Sequence, residues 1–141
     1  MNYHFYQLSK KFARFILLSL LTISIFFISS GIAFGQEIQV NTPTVSVPEG
    51  GSTAVGTLTV QLTADPLGDL VVTGQWNSGD TDIQTNPNPW IYTFSSSDWN
   101  VPQEVTLDAA EDADLIDGTA TIQFSGTGLT PVNVTATEED N

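Results

Sequence analysis

Residues 36–141 contain no lysine, arginine, histidine or cysteine, although they carry all 16 acidic side chains of the chain. The absence of cysteine excludes disulfide bonds. The absence of imidazole, amine, guanidinium and thiol groups excludes zinc sites, serine–histidine triads, Schiff-base lysines and arginine-assisted phosphoryl transfer. Paired carboxylates are the one catalytic option left, and a glycosidase needs two of them across a substrate cleft, for which one small domain has little room. We therefore expect a protein that is not an enzyme.

The missing cations also limit which partners this segment attracts. A surface without lysine or arginine cannot neutralise phosphates, so we expect no binding to nucleic acid. Crowded carboxylates raise one another's pKa values unless a cation neutralises them, and no side chain of this segment supplies one. Hard cations prefer oxygen ligands, so Ca²⁺ is the leading candidate for a bound cofactor.

The chain begins with the layout of a secretory signal peptide. Three basic residues, Lys10, Lys11 and Arg14, precede one long apolar run over residues 15–28. Small residues at Ala33 and Gly35 then fit a cleavage site before Gln36, where the polar composition begins. The apolar run is also long enough to remain as an uncleaved membrane anchor. Under either interpretation the remainder is exported, because the positive flank stays on the cytoplasmic side.

The chain therefore divides into a leader, 1–35, and an exported segment, 36–141, that is secreted or displayed at the cell surface. After cleavage we expect no membrane insertion. The exported segment is long enough for one modest domain with a single core and too short for two.

Apolar residues alternate with Thr, Ser, Gln and Asn at period two along 36–141, which is typical of half-buried strands. The pattern predicts seven strands that are separated by turn clusters. Their core-facing residues would be Val45 and Val47; Leu58, Val60 and Leu62; Leu70 and Val72; a short strand 90–94; Val105 and Leu107; Ala120, Ile122 and Phe124; and Val132, Val134 and Ala136. No segment after residue 35 has helical periodicity, so we expect an all-β antiparallel sandwich.

Most of the acidic residues fall in turns, in four groups. The groups are Glu49 after the first strand; Asp80 and Asp82 after the third; Glu111, Asp112, Asp114 and Asp117 in one connection; and Glu138, Glu139 and Asp140 at the end. Alternate turns of a sandwich lie at the same end, so these groups could converge on one rim and hold two ions or more. The contrasting interpretation is a solvated acidic surface, as in proteins from saline habitats. For three other acids, Asp65, Asp69 and Asp98, we expect local roles in turns.

The order and spacing of several short motifs from about Pro43 to Asp140 resemble the Calx-beta domain, known from sodium–calcium exchangers, integrin tails and large bacterial surface proteins. The motifs are Val47-Pro48-Glu49-Gly50-Gly51, Asp65-Pro66, Gly79-Asp80-Thr81-Asp82, Tyr92-Thr93-Phe94, Asp98-Trp99-Asn100-Val101-Pro102-Gln103-Glu104-Val105, Ala109-Ala110-Glu111-Asp112-Ala113-Asp114, Asp117-Gly118-Thr119-Ala120-Thr121-Ile122 and Glu138-Glu139-Asp140.

This resemblance implies a seven-stranded, immunoglobulin-like Greek-key β-sandwich that binds Ca²⁺ at one end. In calcium-binding members the ligands are a Glu after the first strand, an Asp after the third, an acidic run in a later loop and a terminal acidic triplet. The matching metal ligands in this chain would be Glu49; Asp82, which matches better than Asp80; Glu111, Asp112, Asp114 and Asp117; and Glu138, Glu139 and Asp140.

Together, composition and resemblance predict an exported, non-catalytic, calcium-binding module with a structural, adhesive or cell-surface role. Its partners would be calcium ions and other surface or matrix proteins or glycans. An alternative is a carbohydrate-binding module, which would need coplanar exposed rings among Trp76, Trp90 and Trp99 on one sheet face. A third interpretation is an acidic spacer without a specific ligand.

Overall fold

The computed structural model describes residues 35–50, 55–111 and 116–140, and these form nine β-strands. In chain order they are β1 (Ile38–Val40), β2 (Thr44–Pro48), β3 (Gly56–Leu62), β4 (Leu70–Gly79), β5 (Ile83–Asn86), β6 (Trp90–Phe94), β7 (Gln103–Ala109), β8 (Thr119–Gly126) and β9 (Val132–Glu139). Within those three ranges no helix is long and apolar enough to cross a membrane. Apart from Gly35, the predicted leader lies outside the described residues, so the signal peptide helix stays a prediction.

The strands form two sheets that pack as a sandwich. One sheet has the order β1-β3-β7-β5, and the other has the order β2-β9-β8-β4-β6. From β3 to β8 the chain alternates between the two sheets, so consecutive strands lie in different layers. The prediction of an all-β sandwich is confirmed, whereas the Greek-key connectivity stays a prediction.

The expected seven strands are all present, but the described chain has two more, β1 and β5. β1 is only three residues long, and it pairs with the end of β3. β5 was missed because it has a single apolar residue, Ile83, and its second buried position is Thr85. The Thr85 hydroxyl donates to the Gly74 carbonyl (3.4 Å) and accepts from the Trp90 N–H (3.3 Å), so this polar side chain is tolerated in the core.

The expectation that every strand pair is antiparallel was wrong for one pair. β2 runs parallel to β9, with Val47 opposite Glu138 and Pro48 opposite Glu139. The two strands at the start of the described chain, β1 and β2, lie in different sheets. β1 pairs with β3 in one layer, and β2 pairs with β9 in the other. A local hydrophobic pattern predicts a strand but not its partner, so sequence could not show this division.

The core lies between the two sheets and contains most of the alternating residues that the sequence predicted, together with Ile38, Ile83 and Ala109, whereas Leu70 and Val132 are only partly buried. Phe94, Phe124, Leu58, Leu62 and Ile122 are among its largest fully buried side chains. Burying each such side chain contributes about 1.5–3 kcal/mol to folding. The Trp90 ring packs edge-on against Phe124, with ring centroids 6.0 Å apart, and stacks on Tyr92 at 6.1 Å.

The turn after β6 is built around Asp98. Its Oδ1 accepts hydrogen bonds from the backbone N–H (2.6 Å) and hydroxyl (2.7 Å) of Ser95, and its Oδ2 accepts from the Tyr92 hydroxyl (3.0 Å). The backbone bond from Ser95, then the Ser95 hydroxyl, hold the pKa of Asp98 below its usual range. Asp65 also serves its turn, because its Oδ1 accepts from the Leu67 N–H (2.8 Å). The local roles expected for these two acids are confirmed.

Candidate functional site

One end of the sandwich collects the ends of five strands. β2 ends beside the end of β9, because Pro48 pairs with Glu139. β8 begins there and β4 ends there, since Gly79 pairs with Ala120. β7 also ends there, because an isolated parallel bridge joins Glu49 to Ala109. We call this region the acidic end; its described acidic residues are Glu49, Asp80, Asp82, Glu111, Asp117, Glu138, Glu139 and Asp140.

Two acids of this end, Glu49 and Glu138, are buried, with 7% and 1% of their surfaces exposed. Strand alternation explains their burial. Val134 and Ala136 face the core from β9, so Glu138, two residues further along, faces the core as well. Glu49 likewise follows the core-facing Val47 of β2, and its N–H donates to the Glu139 carbonyl (3.1 Å). Both glutamates continue core-facing rows beyond the last apolar residue.

The carboxylate of Asp80 meets that of Glu138 at Gly118. A Cβ atom at residue 118 would lie 2.2 Å from Asp80 Oδ2 and 2.8 Å from Glu138 Oε2, so the two oxygens flank the same point. The Gly118 carbonyl accepts from the Glu138 N–H (3.0 Å), which holds these residues in register. Any side chain at residue 118 would displace one of these two carboxylate ends.

The electrostatics of Glu138 are unfavourable for a charged carboxylate. Burial raises its pKa first, and the negative charges of Asp80, Asp140 and Glu49 raise it further, against a smaller opposing effect of a hydrogen bond with the Gly118 backbone. Its Oε1 is buried and accepts no hydrogen bond. Residues 36–141 contain no cationic side chain that could neutralise the charge. A proton or a bound cation would relieve this cost.

The remaining predicted ligands lie around this pair with different exposures. Asp117 is exposed, and its Oδ1 accepts from the Asp140 N–H (3.3 Å). Both carboxylate oxygens of Asp140 are shielded from solvent. The Glu139 side chain is exposed. Glu111 is also exposed, and its Oε2 lies 3.5 Å from the position that a Cβ atom on Gly50 would take.

The connection after β4 holds Asp80 and Asp82 in different roles. The Asp82 N–H donates to Asp80 Oδ1 (3.0 Å), and the Asp82 carbonyl accepts from the Ala110 N–H (3.3 Å). The structure brings Asp80, which the resemblance ranked below Asp82, against Glu138. The sequence marks Asp80 only as a member of the acidic pair after the third strand; the pairing of β4 with β8, which places Asp80 beside Gly118, is a long-range contact.

Two of the predicted ligands, Asp112 and Asp114, lie outside the described residues. Among the residues that the structure describes, no group of three acidic side chains is arranged to hold a metal ion. The described chain therefore contains a convergent pair, Asp80 and Glu138, with further acids around it.

The tryptophans do not form the platform that the carbohydrate-binding alternative requires. Trp90 is buried, and Trp99 is partly buried against the core. Trp76 alone of the three is exposed, at 37% of its surface, and its Nε1–H donates to the Asp80 carbonyl (2.7 Å). A polar groove of about 490 Å³ runs along β5 and β7 from Asp82 of the acidic end, and no aromatic ring is among its lining residues. Neither place offers stacked indoles to a sugar.

Comparisons with known proteins identify no family for this chain. No protein-family model and no curated protein matches it. Among solved structures, a similar chain is the sixth cohesin of scaffoldin B from Acetivibrio cellulolyticus, crystallised in complex with a mutant Cel5 dockerin. The two share 15% sequence identity over 76% of this chain and 99% of the cohesin, with a TM-score of 0.27.

Proposed function

We propose that residues 36–141 are an exported, non-catalytic β-sandwich module whose acidic end binds Ca²⁺ and that serves a structural or adhesive role at the cell surface or in the surrounding matrix. One observation carries the proposal: the buried Glu138 carboxylate, with an oxygen that accepts no hydrogen bond, lies beside Asp80 in a segment without cationic side chains. Leaving such a group charged and unpaired is costly, and a cation removes the cost.

The donor atoms favour calcium over other metals. Every acidic donor at this end is a carboxylate oxygen, and the segment has no imidazole or thiolate to favour zinc or copper. Ca²⁺ takes six to eight oxygen ligands and can draw them from distant parts of a chain. Asp80 Oδ2 and Glu138 Oε2 already converge, whereas no three described carboxylates are arranged for an ion. We propose that Asp112 and Asp114 complete the coordination, as the resemblance to the Calx-beta domain implies.

Calcium would act on this module through linkage between binding and folding. An ion that binds only the folded state stabilises it by about 2.7 kcal/mol when its concentration is a hundred times the dissociation constant. The connections that carry the carboxylates would be ordered together when the ion binds. Outside a cell, where calcium is plentiful, the module would be loaded continuously, so it would serve as a rigid spacer or adhesive unit rather than as a sensor.

A thermal melt tests the proposal directly. The protein is expressed with its own leader, purified as the host processes it, and melted in EDTA, in millimolar CaCl₂ and in NaCl of equal ionic strength. We expect calcium to raise the melting temperature by roughly 10 °C or more beyond the salt control, because a domain of this size gains about 4–8 °C per kcal/mol. Equal responses to the two salts would show charge screening alone and would overturn the proposed calcium site.

A further inference from the structure

Three hydrogen bonds hold Asp80 in one orientation. The Trp76 indole Nε1–H donates to the Asp80 carbonyl (2.7 Å), and the Asp80 N–H donates to the Thr119 carbonyl (2.8 Å). The Asp82 N–H donates to Asp80 Oδ1 (3.0 Å). With the backbone held on both sides and Oδ1 engaged, Oδ2 is left directed at the space in front of Gly118 and Glu138.

Trp76 reaches Asp80 because β4 is irregular at this point. The pairing of β4 with β8 shifts register between Trp76 and Ser78, so the strand carries an extra residue there. Irregularities of this kind bend a strand and redirect its side chains. The Trp76 ring is 37% exposed, whereas Trp90 on the neighbouring strand is buried. Because the Trp76 ring is partly exposed, it adds less to the stability of the core than the Trp90 ring does. Its hydrogen bond to Asp80 is therefore the contact that suggests a role.

We propose that Trp76 is a positioning residue of the cation site, which fixes Asp80 so that Oδ2 faces Glu138. This inference rests on the proposed calcium site and names the residue that orients one of its ligands. Trp76 does not contact the ion. It reduces the loss of conformational entropy when the ion binds, because the Asp80 backbone is already held in the required position.

The substitution Trp76→Phe isolates this effect, because it removes the N–H donor and keeps an aromatic ring. Trp90→Phe is the matched control. Trp90 Nε1–H also donates to a backbone carbonyl, that of Glu104 (3.1 Å), but it does so away from the acidic end. Both variants therefore lose one indole–carbonyl hydrogen bond, and only one of the two bonds holds a proposed ligand.

Calcium alone serves as the probe, in calorimetric titrations of the wild-type protein and both variants. We expect Trp76→Phe to weaken calcium binding by roughly three- to tenfold, the effect of one hydrogen bond, with little change of melting temperature in EDTA. We expect Trp90→Phe to lower the melting temperature in EDTA and to bind calcium as the wild type does. A wild type that binds no calcium overturns the proposed function. A wild type that binds, together with an equally tight Trp76→Phe variant, overturns the positioning role alone.

A second measurement covers the case in which Trp76→Phe does not fold. Trp76 would be the indole that contacts a ligand of the ion, so its emission should respond to calcium. We expect the calcium-dependent change of tryptophan fluorescence to persist in Trp90→Phe and in Trp99→Phe. If calorimetry shows that both variants bind calcium but the tryptophan emission of one or both does not change with calcium, the positioning role is contradicted.

Discussion

The buried carboxylate of Glu138 lies beside Asp80, and after burial itself the charge of Asp80 is the largest cause of the raised pKa of Glu138. Acidic side chains in a core are normally paired with cations or metal ions, because an isolated buried charge is costly. Residues 36–141 have no cationic side chain at all. This relationship links the composition of the chain to its proposed function.

Replacing Glu138 with glutamine should stabilise the calcium-free protein and abolish its response to calcium. Glutamine has nearly the same shape as glutamate but carries no charge. We therefore expect a gain of about 1–3 kcal/mol in the free energy of unfolding in EDTA. Glu139→Gln is the matched control, because that neighbouring side chain is exposed. Denaturant titrations with and without calcium measure both effects. A loss of stability in EDTA would show that the Glu138 charge is compensated within the fold.

The raised pKa of Glu138 also predicts how stability depends on pH. Above the ordinary pKa of 4.5 and below the raised folded value, the folded state holds a proton that the unfolded state has released. The free energy of unfolding in EDTA should therefore fall as pH rises through this window, and the contribution should be complete below it. Glu138→Gln removes this contribution, so its advantage over the wild type should grow as pH rises above 4.5. Parallel curves would contradict the assignment.

Gly118→Ala should disrupt the approach of the two carboxylates. The new methyl group would lie 2.2 Å from Asp80 Oδ2, so Asp80 or Glu138 has to move. We expect weaker calcium binding with only a small change of stability in EDTA, because the methyl group meets the ends of the Asp80 and Glu138 side chains rather than backbone. Gly68→Ala is the matched control, because a Cβ atom there would meet nothing within 4 Å. Equal behaviour of the two variants in calcium titrations would argue against a site at Gly118.

The double substitution Asp112→Ala with Asp114→Ala should remove most of the calcium-dependent stabilisation. These two carboxylates are proposed to complete the coordination, so their loss leaves too few ligands for Ca²⁺. Asp65→Ala should keep the calcium response, because the Asp65 carboxylate serves its own turn through the Leu67 N–H. Melting temperatures in EDTA and in CaCl₂ compare the variants. Equal losses of the calcium response would show that the effect is general screening.

Asp98→Asn should destabilise the protein at neutral pH, because the ionised carboxylate accepts hydrogen bonds from Ser95 and Tyr92. The pKa of Asp98 is lowered from 3.8, so its contribution is present above that value and is lost as pH falls through the lower folded value. The difference between wild type and variant should therefore shrink below pH 4. Asp69→Asn, at an exposed turn position, is the control. A difference that stays constant down to pH 2 would contradict the role of the charge.

Local patterns in the sequence predicted a large part of the fold. Alternation at period two predicted β2, β3, β4, β6, β7, β8 and β9 and the side of each strand that faces the core. The turn roles of Asp65 and Asp98 followed from residue type and position. The same alternation, extended past the last apolar residue of β9, would have placed Glu138 in the core, but an acidic residue near a chain end is normally taken as exposed.

The sequence by itself determined two things: the all-β class, and a composition in which residues 36–141 can balance their carboxylates only with protons or bound cations. Tertiary structure decided the rest: the edge strands β1 and β5, the parallel pairing of β2 with β9, and the meeting of Asp80, Gly118 and Glu138. The physical reason is the distance along the sequence over which each kind of contact acts. Periodicity reports only how neighbouring residues face the core, whereas strand partners, and the loop residues that they bring together, depend on the packing of the two sheets.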